Sequence, residues 1–136
     1  CGSGILSIIA LKLGACKVYG IDIDELAVKA SKENLERNQI QEERYEIVKG
    51  DVIGDREFAD SIADIGQYDI VVANILADVI IPLSGVIRPF MKEGGVFITS
   101  GIINTKETAV KEALEANGFT ITDITYMGEW VAITAK

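Results

Sequence analysis

The chain begins inside a glycine turn. Cys1-Gly2-Ser3-Gly4 runs directly into the apolar stretch Ile5 to Leu13, and eighteen residues after Gly4 stands Asp22, closing the segment Lys17-Val18-Tyr19-Gly20-Ile21-Asp22. Glycines in a turn that opens a helix let the backbone pass close to a ligand. An acidic residue at the end of the next strand can accept both ribose hydroxyls, so the pair reads as a nucleotide-type cofactor site. Such a loop ordinarily follows the central strand of a parallel sheet, and no strand stands before Cys1. The expectation is a fragment of a longer chain whose first strand is missing.

A length of 136 residues predicts one domain, residues 1–136, with a sizeable core. The 49% apolar content leans towards a sheet buried on both faces. No apolar run approaches the roughly 18 residues that a membrane-spanning helix needs, so no membrane partner is expected. The net charge of −8 disfavours direct binding to nucleic acid and suits a basic protein partner. Histidine is absent, which excludes Ser-His-Asp and Cys-His nucleophile systems within the segment. Cys1 and Cys16 lack the spacing of a metal or redox motif, so neither a metal nor a disulfide is expected, and a reducing, cytoplasmic location follows.

Apolar periodicity alternates between strand and helix along the chain. Ser3 to Gly14 reads as a helix and Lys17 to Asp22 as a strand. Asp24 to Asn38 reads as a helix capped by Asp24, with Glu25–Lys29 and Glu33–Arg37 as i,i+4 pairs. A strand over Arg44 to Lys49 and a helix over Glu57 to Ile65 follow. Tyr68 to Asn74 reads as a strand whose Ile70-Val71-Val72-Ala73 run implies burial on both faces. A helix is expected from Asp78 to Met91, with Pro82 tolerable only in its first turn and Pro89 helping to end it. Glu93-Gly94-Gly95 then turns into a strand over Val96 to Ser100. Asn104 and Glu107 resemble a capping box opening a helix that runs to Asn117 and stops at Gly118. Phe119 to Tyr126 and Trp130 to Ala135, joined by Met127-Gly128-Glu129, leave no room for a crossover and must form an antiparallel hairpin. The fold class is α/β, a doubly wound, mostly parallel, Rossmann-like sheet ending in that hairpin. By fold analogy this is the ending of class I S-adenosylmethionine-dependent methyltransferases rather than of nicotinamide domains. Ser7 stands where a dinucleotide fingerprint wants its third glycine.

Gly2, Ser3 and Gly4 open a helix whose amides and dipole can hold the carboxylate of a methionine-like cofactor, and Asp22 is the candidate ribose ligand. Asp24 competes for that role but suits capping better. Asp51 follows the strand over Arg44 to Lys49 and can accept an adenine amine, against the alternative of a plain turn aspartate. Asn74 follows the buried strand, where the transferred group should arrive. Its side-chain oxygen and the carbonyl of Ile75 can accept the two hydrogens of an NH2 group and aim its lone pair, against the alternative of an Asx-turn.

Cys1-Gly2-Ser3-Gly4-Ile5-Leu6, Gly20-Ile21-Asp22-Ile23-Asp24, Val72-Ala73-Asn74-Ile75-Leu76-Ala77, Ser100-Gly101-Ile102 and Gly128-Glu129-Trp130 together resemble the PrmA-type ribosomal protein methyltransferases over nearly the whole chain. The resemblance implies methylation of amino groups on large-subunit ribosomal protein eleven with S-adenosylmethionine as donor, and cofactor contacts from the glycine loop, Asp22 and Asn74. It also implies an amino-terminal substrate-recognition domain and the first part of the cofactor loop, neither of which is in this sequence. Other amine methyltransferases follow their asparagine with Pro-Pro and an aromatic. Ile75, Leu76 and Ala77 offer no such platform, which favours a flexible aliphatic amine. Two rival readings stand beside this one: a nicotinamide-dependent oxidoreductase domain, favoured by Asp22, and a non-catalytic interaction module, favoured by the lack of an obvious acid or base.

Overall fold

Strand and helix alternate as the periodicity requires, and the computed structural model, which describes residues 1–136, resolves them into two units, residues 1–58 and 59–136. In the first unit, α1 (Ile5–Lys12) leaves the glycine turn, β1 (Val18–Asp22) follows, and α2 (Glu25–Arg37) crosses over to β2 (Tyr45–Lys49). The two strands are parallel, with Val18 opposite Tyr45 and Asp22 opposite Lys49, a pairing that demands a helical crossover. Ile8 and Leu11 of α1, Val28 and Leu35 of α2, and Ile47 of β2 form the core, with Val18, Ile40 and Tyr45 packed against it. Asp24 caps α2 as expected, its Oδ1 accepting from the Leu26 amide at 2.9 Å. The side-chain pairs on α2 differ from those expected. Glu25 reaches Lys49 at 3.4 Å and Lys29 meets Glu33 at 4.0 Å. Glu25 lies just beyond the end of β1, where Lys49 of β2 is a tertiary neighbour that helical spacing cannot reveal. Arg44 gathers the loose end of α1, donating to the carbonyls of Leu11 (3.2 Å), Ala15 (2.7 Å) and Cys16 (3.5 Å).

Helix α3 (Arg56–Ile65) leads into the second unit, where β3 (Tyr68–Asn74), α4 (Ala77–Ser84), β4 (Met91–Ile103), α5 (Glu107–Ala116), β5 (Ile121–Met127) and β6 (Trp130–Ala135) follow. The sheet order is β3-β4-β6-β5. β3 and β4 are parallel, and β6 alone runs against its neighbours β4 and β5. The expected hairpin is present, with Met127 opposite Trp130. Phe97, Ile102, Val110, Leu114, Val131 and Ile133 are fully enclosed, and Phe119 stacks obliquely on Phe97 with the Arg88 guanidinium over its outer face.

Three expectations fail here for identifiable reasons. β3 is the edge strand of the four-stranded sheet, and its Ile70 and Val72 side chains are 58% and 46% exposed within residues 1–136, not enclosed on both faces. α4 stops at Ser84, not Met91, with Pro82 near its carboxyl end. The proline withholds a backbone donor, the Ser84 hydroxyl bonds the Ile81 carbonyl (2.6 Å), and Pro89 falls in a separate 3-10 turn over Arg88–Phe90. The capping box at Asn104 does not form. A 3-10 turn occupies Asn104–Lys106, and the Glu107 carboxylate accepts from the Tyr126 hydroxyl at 2.9 Å instead. Gly118 ends α5 in the left-handed region (φ +81°), as expected. Glu93 to Gly95 lie within β4 as an irregularity of its pairing with β3, which skips from Tyr68–Met91 to Ile70–Val96.

Candidate active site

The turn that opens α1 is built for close approach. Gly4 lies at φ +81°, and a Cβ there would stand 3.1 to 3.2 Å from the backbone and side chain of Ser31, which is fully buried. The turn is held from α2. Ser31 Oγ donates to the Gly2 carbonyl (2.9 Å), and Asn34 Nδ2 donates to the Ser3 carbonyl (2.9 Å). Sequence reasoning missed both residues. The available signal was their i,i+3 spacing on the stripe of α2 that carries Val28 and Leu35, where an enclosed serine must find a partner. No side chain caps α1. Its first-turn amides beside Gly2, Ser3 and Gly4 therefore receive no side-chain acceptor at the cap.

Asp22 is joined to this turn directly. Its Oδ2 accepts from the Cys1 amino nitrogen (2.7 Å) and the Gly2 amide (2.9 Å), and its Oδ1 accepts from the Asp24 amide (3.0 Å). Burial pushes the carboxyl up, but the hydrogen bonds from the Gly2 amide, the Cys1 nitrogen and the Asp24 amide outweigh it and hold the pKa below the ordinary carboxylate range. With two donors on Oδ2 and one on Oδ1, a single lone pair of Oδ1 remains open. Asp22 thus clamps the glycine turn to the end of β1.

Asp51 folds back on its own loop. Its Oδ1 accepts from the Ile53 and Gly54 amides, both at 2.9 Å, an Asx-type turn that leaves Oδ2 for any ligand.

In the second unit, Asn74 ends β3 opposite Ser100 of β4, and the Ile75 amide donates to the Ser100 carbonyl at 3.2 Å. The Asn74 side chain is exposed and takes no hydrogen bond within the chain, so the Asx-turn alternative is not realised. Its Oδ1 and the Ile75 carbonyl oxygen crowd one point, lying 2.7 and 3.0 Å from where a Cβ on Gly101 would stand. The two acceptor oxygens therefore lie close together beside Gly101. Leu76 beside them is 70% exposed, and Ala77, the first residue of α4, is buried.

A family model described as ribosomal protein L11 methyltransferase (PrmA) matches residues 1–136. The chain belongs to this family. The ribosomal protein L11 methyltransferase of Lachnoclostridium phytofermentans is 52% identical over the whole of the chain, which covers 44% of that relative. The chain therefore spans less than half the length of such relatives. The crystal structure of ribosomal protein L11 methylase from Lactobacillus delbrueckii subsp. bulgaricus matches with a TM-score of 0.86 at 31% identity, covering 98% of this chain and 64% of that one. A protein of methyltransferase fold complexed with SAH shares the architecture at 16% identity, with a TM-score of 0.82 and coverage of 98% of this chain and 42% of that one. The fold is the Rossmann-like α/β fold of class I methyltransferases. This member of the PrmA family carries the glycine turn, the strand-end acid Asp22 and the Asn74–Ile75 pair on separate elements.

Proposed function

We propose that residues 1–136 form the S-adenosylmethionine-binding catalytic domain of a cytoplasmic enzyme that methylates amino groups, lysine side chains or the amino terminus, of ribosomal protein L11. Membership of the PrmA family supports the reaction class. The observation that carries the chemistry is the convergence of the Asn74 oxygen and the Ile75 carbonyl beside Gly101.

When bound, S-adenosylmethionine supplies a methyl group activated on a sulfonium. Gly2, Ser3 and Gly4 hold the cofactor's carboxylate at the start of α1, the open lone pair of Asp22 takes a ribose hydroxyl, and Asp51 Oδ2 takes the adenine amine. Asn74, with the Ile75 carbonyl, would accept both N–H groups of a neutral amine, leaving the nitrogen lone pair free to attack in line. Asn74 is uncharged and does not titrate, so the amine must arrive without its proton. For lysine near pH 7 this costs roughly 4 to 5 kcal/mol from a pKa of ~10.4, a cost lowered by the neighbouring sulfonium charge, and water carries the proton away. The substrate is a basic protein, which the net charge of −8 attracts without direct nucleic-acid contact.

The test is single-turnover transfer of labelled methyl groups from saturating S-adenosylmethionine to ribosomal protein L11 by the intact protein. Asn74→Ala should slow transfer by roughly a hundredfold, while calorimetric cofactor affinity changes far less. Wild-type rates in Asn74→Ala would return Asn74 to the role of a strand-end residue.

A further inference from the structure

We propose that Gly101 is a positioning residue for the methyl acceptor, a reading that rests on the amine-receptor role of Asn74 and Ile75. Between Thr99 and Ile102 the pairing of β4 with β6 slips by one residue, Thr99 standing opposite Ile133 and Ile102 opposite Val131. Gly101 lies in this bulge at φ +78°. Bulges next to binding sites redirect the backbone and the groups it carries. Here the redirected backbone passes beneath both acceptors. A Cβ on residue 101 would stand 2.7 Å from Asn74 Oδ1, 3.0 Å from the Ile75 carbonyl oxygen and 3.3 Å from the Ile75 amide nitrogen. The first distance is shorter than a carbon and an oxygen tolerate, so any side chain there drives the carboxamide away and fills the space beside the carbonyl. The missing Cβ keeps the two oxygens together and open to one nitrogen.

The same strand provides its own control. Gly94 also lies in the left-handed region (φ +73°), but a Cβ there would meet nothing within 4 Å. Alanine at either position carries the same kind of backbone strain, and only alanine at position 101 touches the acceptors.

In the intact protein, Gly101→Ala should lower the single-turnover methylation rate of ribosomal protein L11 tenfold or more, with S-adenosylmethionine affinity within twofold of wild type. Gly94→Ala should lower the melting temperature comparably and keep the rate within twofold. Gly101→Asn, whose residue type tolerates the left-handed region, provides a folded variant if Gly101→Ala does not fold, and it should lose rate to the same degree. The rate loss of the double variant Asn74→Ala/Gly101→Ala should be clearly smaller than the product of the two single losses, because both substitutions act on the Asn74 oxygen. Wild-type rates in Gly101→Ala or Gly101→Asn, with Asn74→Ala slow, would overturn the role of Gly101 and leave the amine receptor standing. Equal rate losses in Gly94→Ala and Gly101→Ala would reduce the effect to backbone strain. A wild-type rate in Asn74→Ala would remove the receptor itself.

Discussion

Replacing Asp22 by asparagine removes one charge and almost no volume, and it isolates the clamp between the glycine turn and β1. The carboxylate is 19% exposed and accepts from three nitrogens, at 2.7, 2.9 and 3.0 Å. Burial raises its pKa, while the hydrogen bonds from the Gly2 amide, the Cys1 nitrogen and the Asp24 amide lower it further. Hydrogen bonds of this kind to an ionised carboxylate that solvent reaches are worth about 1 to 1.5 kcal/mol together. The folded pKa lies below the unfolded one. The stabilisation is therefore complete above about pH 5 and disappears as pH falls through the folded pKa. The asparagine keeps one acceptor oxygen and turns an NH2 group towards the donors, so the loss at neutral pH should be about 1 to 2 kcal/mol. Urea unfolding of wild type and Asp22→Asn at pH 7, 5 and 3 reads the difference directly. It should be full at pH 7, nearly full at pH 5 and clearly smaller at pH 3. A difference that stays constant over this range, or that is absent at pH 7, would refute the assignment of the clamp to the ionised carboxylate.

Two further substitutions probe what holds the site in place. Ser31→Ala leaves the Gly2 carbonyl without its side-chain donor at a part-buried contact. It should cost about 1 to 2 kcal/mol by urea unfolding and weaken S-adenosylmethionine binding severalfold by calorimetry, whereas unchanged affinity would mean that the turn keeps its shape unaided. Arg44→Ala removes the donors to Leu11, Ala15 and Cys16 at the end of α1. It should lower stability by about 1 to 2 kcal/mol in thermal unfolding, and Arg44→Lys should restore only part, since an ammonium cannot span three carbonyls as a guanidinium does; full restoration would reduce the contact to charge alone.

Much of this protein was legible in the amino-acid sequence because the relevant physics is local. Gly2 and Gly4 announce a turn that only glycine makes without strain, Asp24 caps the helix that follows it, and Gly118 stops α5. The two residues Gly128 and Glu129 between the last strands allow nothing but a hairpin. Asp22 was identifiable from its place at a strand end, eighteen residues after Gly4. Other features depend on groups far apart in the chain. Ser31 and Asn34 matter because α2 happens to lie against the turn, Glu25 pairs with Lys49 across the crossover, and α4 ends where Pro82 and the Ser84 hydroxyl together close it. The same division runs through the amine receptor. Asn74 and Ile75 could be nominated from a strand end, but only the pairing of β3 with the bulged β4 brings Gly101 beneath their oxygens, since a contact between residues 74 and 101 is set by register, and register is a property of the folded sheet.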